Sequence, residues 1–165
     1  MTEKARANHG MTNHTIENVS ISSAGSVEKK ASEILARSRE IRNDPAIHYN
    51  CAQGVFIPFA EKKGMPFDAA KAMTANFGGG MRVGATCGAI TGGLMALGLY
   101  GADDPRDAAE FVRRMREKHG DRIDCRDLLR EEVHSPAEKK PHCDNMVYEA
   151  VEIVEDMLRE RNLKA

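Results

Sequence analysis

Each of the four cysteines in this chain, Cys51, Cys87, Cys125 and Cys143, stands where the local sequence signals the opening of a helix, which constrains both the fold and its chemistry. Asn50, Thr86 and Asp124 precede the first three and are good N-cap residues, while Pro141-His142 predicts a chain break just before the fourth. A helix N-terminus carries partial positive charge and free N–H donors, so a cysteine there is biased toward thiolate. Thiolate is the form that binds metals and exchanges disulfides. Four such positions in one chain point to a built site.

Between the cysteines the apolar periodicity is helical. Val27, Ala31, Ile34, Leu35 and Ile41 recur at helical spacing and end near Asn43-Asp44-Pro45. A second helix is expected over 51–63, with Asn50 and Gln53 as a capping box, Gly64 as terminator and Pro58 as a kink. A third spans 68–77 and stops at Gly78-Gly79-Gly80, and a fourth spans 87–100. Asp104-Pro105 announces a fifth, whose Ala108, Phe111, Val112 and Met115 form one face before His119-Gly120 closes it. Cys125 starts a brief helical turn, Ser135-Pro136 reads as a polar loop, and the last helix covers 143–161. No convincing period-two segment occurs. The expected fold is all-α: a single helical domain over 27–165, of about six helices around a central Gly/Ala-rich one, preceded by a disordered tail over 1–26.

At 165 residues such a domain buries a real core without disulfides, so the cysteines are not simply staples. A formal net charge of -1, with basic and acidic residues interspersed, argues against nucleic-acid binding. The first 26 residues lack the apolar core of a signal peptide, which makes a reducing cytoplasm the expected compartment. Residues 83–102 carry no formal charge and approach membrane-spanning length, but six glycines dilute them. They read as a buried central helix, with no membrane insertion.

No pair of cysteines forms C-x-x-C, so zinc-ribbon, thioredoxin and c-type haem signatures are absent. Two thiolates about 4 Å apart repel by roughly 4 kcal/mol at an effective dielectric of 20, more than a helix terminus returns. Convergence of all four therefore requires a bound cation or cluster, or oxidation to disulfides. Four thiolates are a complete ligand set for tetrahedral zinc or for an iron-sulfur cluster, and spacing does not separate the two. The bland alternative is four inert buried thiols.

The stretch from Phe77 to Gly92 has P-loop separation between Gly79 and Gly84, but Ala85 stands where the lysine belongs and no strand precedes it. Gly80 and Gly84 are better read as letting backbone pass close to a cofactor, with Arg82 offering a hydrogen-bonding fork to sulfur or to an anionic partner. Gly88, Gly92 and Ala96 make a smooth helix face for close packing. His48 and His142, near Cys51 and Cys143, are secondary candidates for ligation or proton transfer. No general acid/base pair or Ser-His-Asp arrangement is present, and no catalytic residue is assigned.

The order Asn50-Cys51-Ala52-Gln53, Gly78-Gly79-Gly80, Cys87-Gly88-Ala89-Ile90-Thr91-Gly92, Leu94-Met95-Ala96-Leu97-Gly98, then Cys125 and Cys143 resembles the C_GCAxxG_C_C family of redox-active proteins over about residues 30–160. The literal order G-C-A does not occur, because Cys87 here precedes Gly88 and Ala89. The resemblance implies a small helical redox protein that uses all four cysteines. The chain is also similar to the non-haem portion of split-Soret cytochromes, which implies an iron-sulfur centre. The leading expectation is then a [2Fe-2S] electron-transfer centre held by Cys51, Cys87, Cys125 and Cys143, with Gly80, Arg82 and Gly84 beside it. Metal-free thiol-disulfide cycling and a structural zinc module are the alternatives. The implied partner is an unidentified redox protein, with the chain acting as a monomer or a homodimer.

Overall fold

The computed structural model describes residues 32–165. The expected tail over 1–26, and Val27 and Ala31 of the first helix, lie outside the described residues. Within them the chain is all-α, with seven α-helices where about six were expected: α1 (Glu33–Arg42), α2 (Cys51–Lys62), α3 (Phe67–Met73), α4 (Gly88–Leu99), α5 (Pro105–Lys118), α6 (Cys125–Glu132) and α7 (Pro136–Glu160). A tight turn over Gly80–Gly84 joins α3 to α4. No helix of the described residues is long and apolar enough to cross a membrane.

The centre of the molecule is α2. Nine consecutive residues from Ala52 to Ala60 are buried because α1, α3, α4 and α7 surround the helix. Its start is fixed by the expected capping box: the Asn50 side chain accepts from the Gln53 N–H at 3.0 Å, and Gln53 accepts from the Asn50 N–H at 2.9 Å. Pro58 sits inside α2 without ending it. Proline lacks an N–H, which frees the carbonyl four residues earlier. That carbonyl, on Gly54, accepts instead from the buried Ser38 hydroxyl of α1 at 2.7 Å. The proline thus opens an acceptor that ties α1 to α2.

The smooth face read from the sequence is where α4 meets α2. A Cβ at Gly92 would stand 2.8 Å from the Ala52 carbonyl oxygen, and one at Gly88 only 2.9 Å from the Phe77 carbonyl oxygen and 3.1 Å from the Ala52 nitrogen. The two backbones touch because these side chains are missing. This contact brings the start of α4, and with it Cys87, against the start of α2, and with it Cys51.

Three expectations about helix ends are corrected. Pro141-His142 does not break the chain: α7 begins five residues earlier at Pro136, with Ser135 as N-cap, and contains Pro141. A proline only six positions into a helix forfeits a single early hydrogen bond, and Glu138 secures the start by accepting from the Ser135 hydroxyl at 2.9 Å and the His134 N–H at 2.9 Å. Ser135-Pro136, read as loop, was the true start signal. Likewise Thr86 is not the N-cap of α4; Cys87 holds that position itself. The reason is that Thr86 is held extended in an isolated antiparallel bridge with Asp124. The third helix also ends early, at Met73, where the Thr74 hydroxyl turns back to the Ala70 carbonyl at 2.7 Å.

Candidate functional site

The bridge between Thr86 and Asp124 does more than displace a cap. The Cys87 N–H donates to the Ile123 carbonyl at 2.8 Å, and the Cys125 N–H donates to the Ala85 carbonyl at 2.8 Å. Two hydrogen bonds so close along both chains pin the start of α6 beside the start of α4. Cys87 and Cys125, distant in sequence, therefore enter their helices side by side. Nothing in the helical periodicity announced this pairing.

Cys51 arrives from the first turn of α2, and Cys143 from the interior of α7 instead of its N-terminus. Their thiols lie close enough for each to shift the titration of the other. Cys51, Cys125 and Cys143 line one cavity of about 630 Å³, and Cys87, 5% exposed, lies buried within electrostatic reach of all three. The four cysteines are thus gathered at one locus, all as free thiols. No group of three or more His, Cys, Asp or Glu among the described residues is spaced to hold a metal ion. Loading of any metal would accordingly involve rotation of these side chains.

The thiols titrate unequally. The neighbouring Cys143 thiol holds Cys51 below the usual thiol range against the opposing effect of burial, and the Arg42 charge assists. The same closeness, with burial added, pushes Cys143 far up. Burial pushes Cys87 up to about 12, although the amides of Ala89 and Ile90 face its sulfur and pull the other way. Cys125 is raised by burial and by Cys143, with Lys139 opposing. As free thiols the group supports one favoured thiolate, on Cys51, because each further charge must approach the first.

Around the cavity, Arg42, Arg126, Lys139 and Lys140 contribute positive charge, and no carboxylate is among the lining residues. Arg42 was not singled out in the sequence. At the last turn of α1 it is buried, with its Nε 2.7 Å from Asp144 and a further hydrogen bond to the Tyr49 carbonyl. Asp144 follows Cys143 directly, so the ion pair locks α1 to the stretch of α7 that carries the ligand candidate. A basic residue ending a helix is too common a pattern to have marked it.

The glycine loop divides. Gly84 lines the cavity. Gly80 is buried behind it at φ 61°, where a Cβ would overlap the Ala85 carbonyl, so that position supports the loop. Arg82 turns away: its guanidinium donates to the Ala75 carbonyl at 2.9 Å and is exposed. His48 is at the cavity edge. His142 faces away from the thiols and toward Glu132, at 3.4 Å from its Nδ1.

That direction leads to a second polar cluster missed in the sequence, where His119 figured only as a helix stop. His119 is 6% exposed and contacts two carboxylates, Glu132 of α6 at 3.2 Å from Nδ1 and Glu149 of α7 at 2.8 Å from Nε2. Its pKa is raised, first by Glu149. His142, edge-on to it, is lowered by burial.

In comparison with known proteins, the family model described as "Putative redox-active protein (C_GCAxxG_C_C)" matches residues 49–157, a span that contains all four cysteines. No curated protein and no solved structure matches the chain.

Proposed function

The chain belongs to the C_GCAxxG_C_C family of redox-active proteins, and from that premise we propose that Cys51, Cys87, Cys125 and Cys143 hold a [2Fe-2S] centre that transfers electrons in a reducing compartment. The observation that carries this reading is three thiols lining one cavity with a cationic wall and no lining carboxylate, with the fourth, on Cys87, buried within electrostatic reach of all three. The donor set fits on its chemistry, since thiolates are the usual ligands of such clusters. When bound, the centre supplies one-electron exchange. The protein's part is to hold the sulfurs, to limit water at the buried Cys87 side, and to offset negative charge with Arg42 and Lys139. Gly84 lets the backbone approach from the open side.

A second reading is favoured by the closeness of Cys51 and Cys143. In it the Cys51 thiolate attacks an external disulfide and releases one thiolate. Cys143 then displaces the second, leaving a Cys51–Cys143 disulfide and a reduced acceptor two electrons richer.

Anaerobic purification followed by absorption and electron paramagnetic resonance spectra before and after dithionite separates the two. The cluster reading expects visible absorption that bleaches on reduction and a one-electron paramagnetic signal. Colourless protein that loses two thiols to oxidised glutathione and regains them with dithiothreitol would replace it with the second reading.

A further inference from the structure

The mouth of the cysteine cavity has two properties that reach beyond the sulfurs themselves. The first is uncompensated positive charge. Asp144 is shared by Arg42 and Lys140, at 2.6 and 2.5 Å. Arg126 and Lys139 have no carboxylate partner among the described residues: Arg126 donates only to the backbone carbonyls of Gly84 and Val83, both at 3.2 Å. Arg82, next along the loop, donates only to a carbonyl as well. On a chain of formal net charge -1, this is a local reversal of sign.

The second property is exposed apolar surface on the loop that Arg126 contacts. Met81 and Val83 are 40% and 69% exposed, although 28 other hydrophobic residues reach the buried core. Between them the backbone enters the left-handed region, with φ 53° at Met81 and 65° at Arg82. Two consecutive non-glycine residues there cost about 1–3 kcal/mol each. The loop thus combines a strained backbone at Met81 and Arg82 with two exposed apolar side chains, and Arg126 braces it from α6 through the Val83 and Gly84 carbonyls.

Exposed apolar side chains beside unpaired cations are the complement of a partner with an apolar patch beside acids. We propose that this rim, formed by Met81, Val83, Arg126 and Lys139, is the docking surface for an acidic electron-transfer protein. The inference rests on reading the cysteine pocket as an electron-transfer centre and names the class of its partner. In the exchange one electron leaves the reduced partner and enters the oxidised centre, or the reverse. The partner is oxidised by one electron as the centre is reduced by one, and no bond is made or broken. Placing the contact over the cavity mouth brings the partner to the wall of the pocket that Gly79 and Gly84 line without side chains.

The test uses the full chain as purified, with an acidic flavodoxin and the basic cytochrome c as probes. Affinity is measured by calorimetry at low and high salt, and electron transfer separately by stopped flow. The expected result is flavodoxin binding that weakens with salt, falls about tenfold or more in the Arg126→Glu, Lys139→Glu variant, and falls about threefold in Val83→Ser, with no binding of cytochrome c. Lys139→Glu alone, at an exposed residue, keeps the test valid if the Arg126 change disturbs the loop. Equal flavodoxin affinity in parent and charge-reversed protein, equal binding of cytochrome c, or competition by inorganic sulfate with no flavodoxin contact at the loop would each overturn the proposal. Binding with the stated charge dependence but no electron transfer would support the surface and count against the electron-transfer reading. Transfer that ignores the rim substitutions would do the opposite.

Discussion

Two polar clusters join α6 to α7, and they differ in the sign of what is brought together. At the C-terminal end of α6, His119 meets Glu132 and Glu149, and His119 and Glu149 each favour the ionised form of the other. At its N-terminal end, Cys125 meets Cys143 and Cys87, groups whose ionised forms repel. The same closeness stabilises the first cluster and frustrates the second. Among the described residues no buried side-chain nitrogen or oxygen lacks a partner, so the histidine cluster is complete in itself. The thiol cluster gains its missing compensation only from something cationic or from oxidation. A close group that neutralises itself is a structural tie; one that cannot is a reactive site.

The sharpest way to break this contrast is at Arg42, which serves the thiol pocket yet behaves like the histidine cluster. Arg42→Ala leaves Asp144 half buried with only Lys140 and empties volume beside Gly54. It should destabilise the fold by about 3–5 kcal/mol in urea unfolding. It should also slow alkylation of Cys51, whose thiolate loses a neighbouring cation. Destabilisation without any change at Cys51 would remove Arg42 from the site.

His119→Ala should cost about 3 kcal/mol, because two charge-assisted hydrogen bonds are lost and two carboxylates are left facing each other. The order of thiol reactivity should survive, since the cluster acts at the other end of α6. A scrambled order would show that the two clusters are coupled.

In metal-free reduced protein, iodoacetamide should modify Cys51 about thirtyfold faster than Cys87, as one thiol is held below the usual range and the other pushed up to about 12. Mass spectrometry of timed digests reads the order directly. Equal rates would mean that the closeness of Cys51 and Cys143 does not govern the pocket.

The smallest effect is the pH dependence of the histidine tie. The pKa of His119 is raised in the folded state, so its stabilisation is fully present below about 6.5 and is lost as pH rises through the folded value. Allowing for partial solvent screening, parent minus His119→Gln stability should fall by about 1 kcal/mol on going from pH 6 to pH 9. A difference that stays constant would mean the imidazole is neutral throughout.

The helical fold was largely legible, because helix signals are local: the Asn50–Gln53 box, the apolar face of α5 and the Gly88–Gly92–Ala96 stripe all behave as their spacing implies. The helix-start reading of the four cysteines holds for Cys51 and Cys125 and fails for the other two. Cys143 lies within a helix and Cys87 is itself a cap, so convergence does not come from four helix starts. It comes from the bridge between Ala85–Cys87 and Ile123–Cys125 and from the close approach of α4 to α2. The bridge is a contact between distant backbone segments and leaves no periodic trace. Arg42 and His119 escaped notice for a related reason: a helix-ending arginine or histidine looks the same in sequence whether it faces water or a buried carboxylate.

The central claim is that the four thiols act as one ligand set, and counting iron and acid-labile sulfide across single Cys→Ser variants tests it most directly. Anaerobically prepared parent protein should carry about two iron and two sulfide per chain, and Cys51→Ser, Cys87→Ser, Cys125→Ser and Cys143→Ser should each lose most of both while staying folded. Parent protein with neither iron nor sulfide, or a Cys87→Ser variant that keeps its full complement, would contradict the account.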